Sequence, residues 1–151
     1  MVAAAKGDLL PLEPMSIVRI VIVEDFVAFR RSICSILAKM ENLQVICEVS
    51  DGLEAVQKSE ELKPDLILLD IGLPKLNGLQ AAREIRRLAP ESEIIFISQE
   101  SSPDLVQEAL GLGAKAYVAK SRVGSDLLLA VEEVLQGRQF VSSGLIPCGP
   151  A

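Results

Sequence analysis

Lys63-Pro64-Asp65-Leu66-Ile67-Leu68-Leu69-Asp70 sets an unbroken aliphatic run between a proline and an acid. A strand buried on both faces of a parallel sheet needs such a run, whereas a strand with one wet face would alternate. An ionised carboxylate inside the run would carry a large desolvation cost, so Asp70 is expected where the strand opens into the next loop. Ligands of open α/β sheets bind at that carboxyl end. The remaining candidate groups are therefore sought by asking what meets Asp70 there.

Outward from this strand, β-branched runs alternate with runs of helical spacing. Ile17 to Val23 reads as a central strand and is followed at once by Glu24-Asp25. Phe26, Phe29, Ile33, Ile36, Leu37 and Met40 recur every three to four residues and predict an amphipathic helix. Leu43 to Val49 predicts a second strand, and Ser50-Asp51-Gly52 opens a helix with Leu53, Val56 and Leu62 facing the core. After Asp70, Gly72-Leu73-Pro74-Lys75-Leu76-Asn77-Gly78 is loop chemistry, then Leu79, Ala82, Ile85 and Leu88 continue as a helix to Pro90. Ile94 to Ile97 predicts the fourth strand, and Ser102-Pro103 suits a helix cap followed by proline at the first helical position. Ala116 to Ala119 predicts a short fifth strand, and Val123 to Gln136 a last helix stopped by Gly137.

About five strand–helix units in strict alternation predict an α/β fold, a doubly wound parallel sheet with helices on both faces. The flavodoxin-like strand order 2-1-3-4-5 is the favoured one for about five strands. Residues 16–138 are expected to form this single domain. Residues 1–15 read as a loosely ordered extension and 139–151 as a C-terminal tail or linker remnant.

The chain has 151 residues, half of them hydrophobic, enough for one core. A formal charge of −6 disfavours contact with phosphate backbones and favours cations, so no direct nucleic-acid binding is expected. The three cysteines Cys34, Cys47 and Cys148 are widely spaced and there is no histidine, which removes most zinc and redox readings. Cys34 and Cys47 read as small core residues. No apolar run approaches the roughly 20 residues of a membrane span, and the start lacks signal-peptide character. A cytoplasmic location without membrane association is the expectation.

In the 2-1-3-4-5 order, strands one and three are neighbours at roughly 4.8 Å, so Glu24 and Asp25 should face Asp70. Three carboxylates in one crevice repel unless a cation neutralises them. An oxygen-only donor set that leaves room for water and phosphate points to Mg2+. Ser98 ends strand four and Lys120 comes directly after strand five, which brings a hydroxyl and an ammonium to the same rim. Together these are the parts that stabilise an anionic phosphoryl group, with Asp70 as the nucleophile that forms an acyl phosphate. Singly, Asp25 reads as a helix cap, Lys120 as a solvated lysine and Ser98 as a loop hydroxyl bonding its own backbone. Their joint placement at four strand ends favours phosphoryl chemistry.

The stretches Val23-Glu24-Asp25, Asp70 through Leu73-Pro74 to Gly78, Ser98 after four apolar residues, and Gly113-Ala114-Lys115-Ala116-Tyr117-Val118-Ala119-Lys120 resemble a bacterial response-regulator receiver domain. The resemblance runs from about Ser16 to Arg138. It implies that Asp70 accepts phosphate from a sensor histidine kinase, that Glu24 and Asp25 bind Mg2+, and that Gly72 offers it a backbone carbonyl. It also implies that Ser98 and Tyr117 are switch residues, with Lys120 engaging the phosphoryl group. Their rearrangement would alter the face of the fourth helix, fifth strand and last helix, where a homodimer contact is expected. On the polar side of the last helix, Leu129 among Asp126, Glu132, Glu133 and Gln136 is a further candidate contact.

Three departures accompany the likeness. Gln99 stands where relatives have a small residue and is expected to crowd the phosphoryl site. Ser121 stands where many have proline, which weakens the expectation of a cis bond after Lys120. The tail from Gly137 resembles that of receivers of the LuxR-type branch, which precede a helix-turn-helix domain, yet residues 139–151 are too short to build one. Two other readings compete: an aspartate-nucleophile phosphatase, which usually carries a second acid where Gly72 stands, and a receiver-like binding module that is never phosphorylated.

Overall fold

In the computed structural model, which describes residues 16–100 and 102–142, strands and helices alternate as the spacing predicts. They are β1 (Val18–Val23), α1 (Val27–Leu37), β2 (Leu43–Val49), α2 (Gly52–Leu62), β3 (Leu66–Asp70) and α3 (Gly78–Leu88). Next in the chain come β4 (Glu93–Ser98), α4 (Pro103–Gly111), β5 (Ala116–Ala119), a single 3-10 turn (Lys120–Arg122), α5 (Val123–Leu135) and β6 (Phe140–Val141). The expectations for residues 1–15 and 143–151, Cys148 included, lie outside the described residues.

The sheet is parallel throughout, in the order β2-β1-β3-β4-β5-β6. Its period-two alternation divides the core. Val21, Val23, Ile67, Leu69, Ile94, Phe96 and Tyr117 point to the side covered by α2, α3 and α4. Ile20, Ile22, Leu66, Leu68, Ile95, Ile97 and Val118 point to the side covered by α1 and α5. The aliphatic residues of β3 are at most 1% exposed, as a run without polar interruption requires. Burying each stabilises the fold by roughly 1.5–3 kcal/mol relative to exposure.

Register carries the functional groups to one edge. Val23 lies opposite Leu69, Asp70 opposite Ile97, and Ser98 opposite Ala119. The carboxyl ends of β1, β3, β4 and β5 are therefore level, and the residues that leave each strand emerge beside those of its neighbours.

Side chains close most helix starts. Asp51 accepts from the Glu54 amide at 2.8 Å, Asn77 and Gln80 exchange bonds in a capping box, and Ser102 accepts from the Leu105 amide at 3.1 Å ahead of Pro103. The first helix has no such cap, so Asp25 does not serve as one. All described peptide bonds are trans, Lys120–Ser121 among them.

Three placements differ from the spacing. Leu53 is 49% exposed, because the Asp51 cap fixes the phase of α2 so that Gly52, Ala55 and Ser59 turn inward instead. Asp126, expected on the polar face of α5, is buried and held by Arg122 Nε at 2.9 Å and Ser125 Oγ at 3.0 Å. The sheet also continues past residue 138, where the composition predicts a tail. Gly137, at φ 82, turns the chain back after α5. The Phe140 amide then donates to Lys115 O at 3.1 Å and the Ser142 amide to Tyr117 O at 3.0 Å. A sixth, two-residue strand thus covers the open edge of β5. Ser142 is fully buried, and its hydroxyl accepts from the Ala119 amide at 3.1 Å.

Candidate functional site

The level strand ends enclose a crevice of about 770 Å3 at the carboxyl edge, and Glu24, Asp25, Asp70, Gly72, Ser98, Gln99 and Lys120 all line it. The candidate phosphoryl-site and metal residues are thus brought together, with Tyr117 set back beneath the rim; Leu129, the candidate contact on α5, is exposed and does not line the crevice.

Glu24, Asp25 and Asp70 each offer a carboxylate oxygen, and these lie within 4.8 Å of one another. Asp25 is exposed, whereas Glu24 and Asp70 are buried. The backbone fixes both buried acids: Glu24 Oε2 accepts from the Phe26 amide at 3.0 Å, and Asp70 Oδ1 from the Gly72 amide at 3.3 Å. Arg30 steadies the turn after β1 by donating to Glu24 O at 2.7 Å.

Lys120 reaches back between the two buried acids. Its ammonium lies 2.9 Å from Glu24 Oε1 and 3.3 Å from Asp70 Oδ2. It hydrogen-bonds to Asp70, while its approach to Glu24 is an ion pair too oblique to count as a hydrogen bond. The reading of a solvated lysine fails, since the side chain is 14% exposed. Beneath it lies the Phe29 ring, with the nitrogen 4.8 Å from the centroid, a cation–π contact. Helical spacing shows that Phe29 faces inward but carries no signal of what sits above it.

Burial raises the pKa of Glu24, and the charge of Asp70 adds to this, while Lys120 and the Phe26 amide restrain the rise. For Lys120, burial works against the charged form, but Glu24 and Asp70 outweigh it and the pKa is raised. The ammonium is therefore held charged between two acids, one of which ionises reluctantly.

Ser98 Oγ, also buried, accepts from the Glu100 amide at 3.0 Å, the local loop bond that its sequence position allowed. The Tyr117 ring is fully buried against Phe96, at a centroid distance of 6.3 Å, and its hydroxyl donates to Glu100 O at 3.0 Å. Tyr117 is thus no half-buried edge aromatic, because β6 covers that edge. Burial raises the phenol pKa, with Glu100 and Asp70 adding to the effect. Gln99 is exposed at the rim.

An all-oxygen set of three close carboxylates, one open to solvent, fits a hard divalent cation that keeps part of its water. The crevice also has a charged nitrogen on the acid at the end of β3, which suits an incoming phosphoryl group.

Comparison with known proteins points the same way. A family model described as the response regulator receiver domain matches residues 20–132. The transcriptional regulatory protein DegU of Brevibacillus brevis is 33% identical over 124 residues, which cover 82% of this chain and 52% of that protein. The oxygen regulatory protein NreC of Staphylococcus epidermidis is 34% identical over 128 residues, covering 84% of this chain and 59% of that one. The chain thus spans little more than half the length of these curated relatives. Among solved structures, a two-component response regulator of the LuxR family from an Aurantimonas species superposes with a TM-score of 0.82 at 28% identity, covering 86% of this chain and 93% of that one. The response regulator domain of Thermotoga maritima CheB superposes with a TM-score of 0.74 at 30% identity, covering 80% and 97%.

Proposed function

The chain belongs to the response regulator receiver domain family of two-component systems, and from that premise we propose that Asp70 is its phosphoacceptor. The observation that carries this reading is the placing of Asp70 at the end of β3, with Lys120 Nζ 3.3 Å away and two further carboxylates beside it. In the proposed reaction a carboxylate oxygen of Asp70 attacks the phosphorus of a phosphohistidine on a sensor kinase. An O–P bond forms, and the P–N bond breaks with its electron pair leaving on the imidazole.

Glu24, Asp25, Asp70 and the Gly72 carbonyl would hold Mg2+, in keeping with the oxygen donor set. When bound, the ion neutralises charge on the phosphoryl oxygens. Lys120, already poised on Asp70, would balance charge on the phosphoryl group as well. Ser98 would turn its hydroxyl towards a phosphoryl oxygen, giving up the Glu100 amide. Tyr117, bonded to the same residue through Glu100 O, would sense that change, so that the surface of α4, β5 and α5 differs between the two states. That surface is the proposed homodimer face, and the output is a change of protein partners in the cytoplasm. No helix among the described residues is long and apolar enough to cross a membrane.

Intact-mass measurement with Mg2+ and a small acyl phosphate tests the assignment. The expected result is a Mg2+-dependent gain of one phosphoryl group that Asp70→Asn abolishes. Equal labelling of the Asp70→Asn protein would overturn it.

A further inference from the structure

The loop between β3 and α3 rests on the start of α2. The Gly52 amide donates to Pro74 O at 3.3 Å. A Cβ added at residue 52 would lie 1.8 Å from Leu76 O, 2.6 Å from its carbonyl carbon and 2.8 Å from its Cβ. The first two are backbone atoms, which cannot swing aside as a flexible side-chain tip can. Gly52 is not required for conformation, since its φ is not among the positive ones. What its position demands is space.

The loop has little freedom to yield. Lys75 holds a left-handed φ of 68, and its ammonium lies 3.6 Å from Asp51, the residue that caps α2. At the other end the Gly78 amide donates to Ile71 O at 2.8 Å, and a Cβ there would lie 2.2 Å from Asp70 O. Ile71 and Leu73 are buried in the core between these two anchors. Gly72 stands exposed on the crest, its amide on Asp70 Oδ1.

We propose that Gly52, which does not line the crevice, is a positioning residue for phosphoryl transfer: its missing side chain seats the 71–77 loop at the height that aims the Gly72 carbonyl and the Asp70 carboxylate. The inference rests on the function proposed above. Helix propensity alone gives the opposite expectation, because alanine is the better helix former and would suit α2.

Gly52→Ala is compared with wild type and with Gly111→Ala, a helical site where a Cβ meets nothing within 4 Å. Mg2+ affinity by calorimetric titration and phosphorylation rate at saturating Mg2+ are measured alongside thermal unfolding. Gly52→Ala is expected to bind Mg2+ about tenfold more weakly, the scale of a lost supporting contact, and to be phosphorylated more slowly, while Gly111→Ala changes neither. Wild-type affinity and rate in a folded Gly52→Ala protein would overturn the proposal. A second measurement needs no variant. If the seat favours the binding geometry, binding must tighten the seat, so saturating Mg2+ should slow hydrogen exchange at the wild-type Gly52 amide. Unchanged exchange would equally overturn it. Should wild type take up no phosphoryl group, the function proposed above would fall. Should wild type react and Gly52→Ala react identically, only the role of Gly52 would.

Discussion

Lys120 Nζ stands 2.9 Å from Glu24 Oε1, pairing the most buried acid of the crevice with a partly buried ammonium. The pair is not a simple stabiliser, because burial leaves the folded pKa of Glu24 above its unfolded value. The stability this group contributes is complete below the unfolded value, near 4.5, and is lost as pH rises through the folded one. At neutral pH its charge is thus a cost that Lys120 offsets in part. Glu24→Gln should leave the thermal midpoint without Mg2+ unchanged or raised at neutral pH, with the difference from wild type shrinking in acid. Mg2+ affinity should fall about tenfold or more, comparable to losing the support of a metal ligand. A clear drop in midpoint would show instead that the ion pair outweighs the burial.

Gln99 is exposed but borders the space beside Ser98. Gln99→Ala should speed phosphorylation, dephosphorylation or both by a few-fold, with stability within about 0.5 kcal/mol of wild type as at most surface positions. Stopped-flow traces with a small acyl phosphate read both rates. Equal rates would mean that the side chain stays clear of the phosphoryl group.

Tyr117 is the chain's only tyrosine, and there is no tryptophan, so phenolate absorbance reports this residue alone. Its raised pKa predicts a midpoint above the ordinary value of about 10. Because the folded pKa is the higher, stability is full below the unfolded value and declines as pH rises through the folded one. Tyr117→Phe keeps the packing on Phe96 and loses the bond to Glu100 O, at a cost of about 0.5–1.5 kcal/mol in denaturant unfolding. An ordinary midpoint in the spectrophotometric titration would mean that the phenol is wet in solution.

Asp126 has the opposite sign. Burial alone would raise its pKa, but Arg122 and the hydroxyls of Ser142 and Ser125 outweigh that and lower it. Its contribution is therefore present above the unfolded pKa of about 3.8 and disappears as pH falls through the folded value. Asp126→Asn should destabilise the protein at neutral pH and flatten the acid limb of urea midpoint against pH. Parallel limbs for the two proteins would remove Asp126 from the acid response.

How much the sequence discloses is set by what periodicity can encode. The buried run before Asp70 and the alternation of strand and helix define the doubly wound sheet. Once strand order is known, Glu24, Asp25, Asp70, Ser98 and Lys120 must meet, because each sits at or just past a strand end and parallel register levels those ends. Contacts between distant side chains leave no such trace. Phe29 shows its inward face but not the lysine above it. Asp126 looks like surface because a polar residue counts as polar until its partners are known. Tyr117 looks like an edge residue because Phe140–Val141 is too short to announce a strand. The demand on Gly52 comes from Leu76 O, which no local pattern reveals.

The sixth strand has a bearing on how the last described residues follow the crevice. Ser142 is tied to β5 by two bonds, one to Tyr117 O and one from the Ala119 amide, the residue before Lys120. The backbone at Ser142 is therefore set by the strand that runs directly into the lysine of the crevice, with the last helix no more than a detour between them. Any tilt of β5 is carried to Ser142 directly, through two hydrogen bonds rather than through the length of a helix.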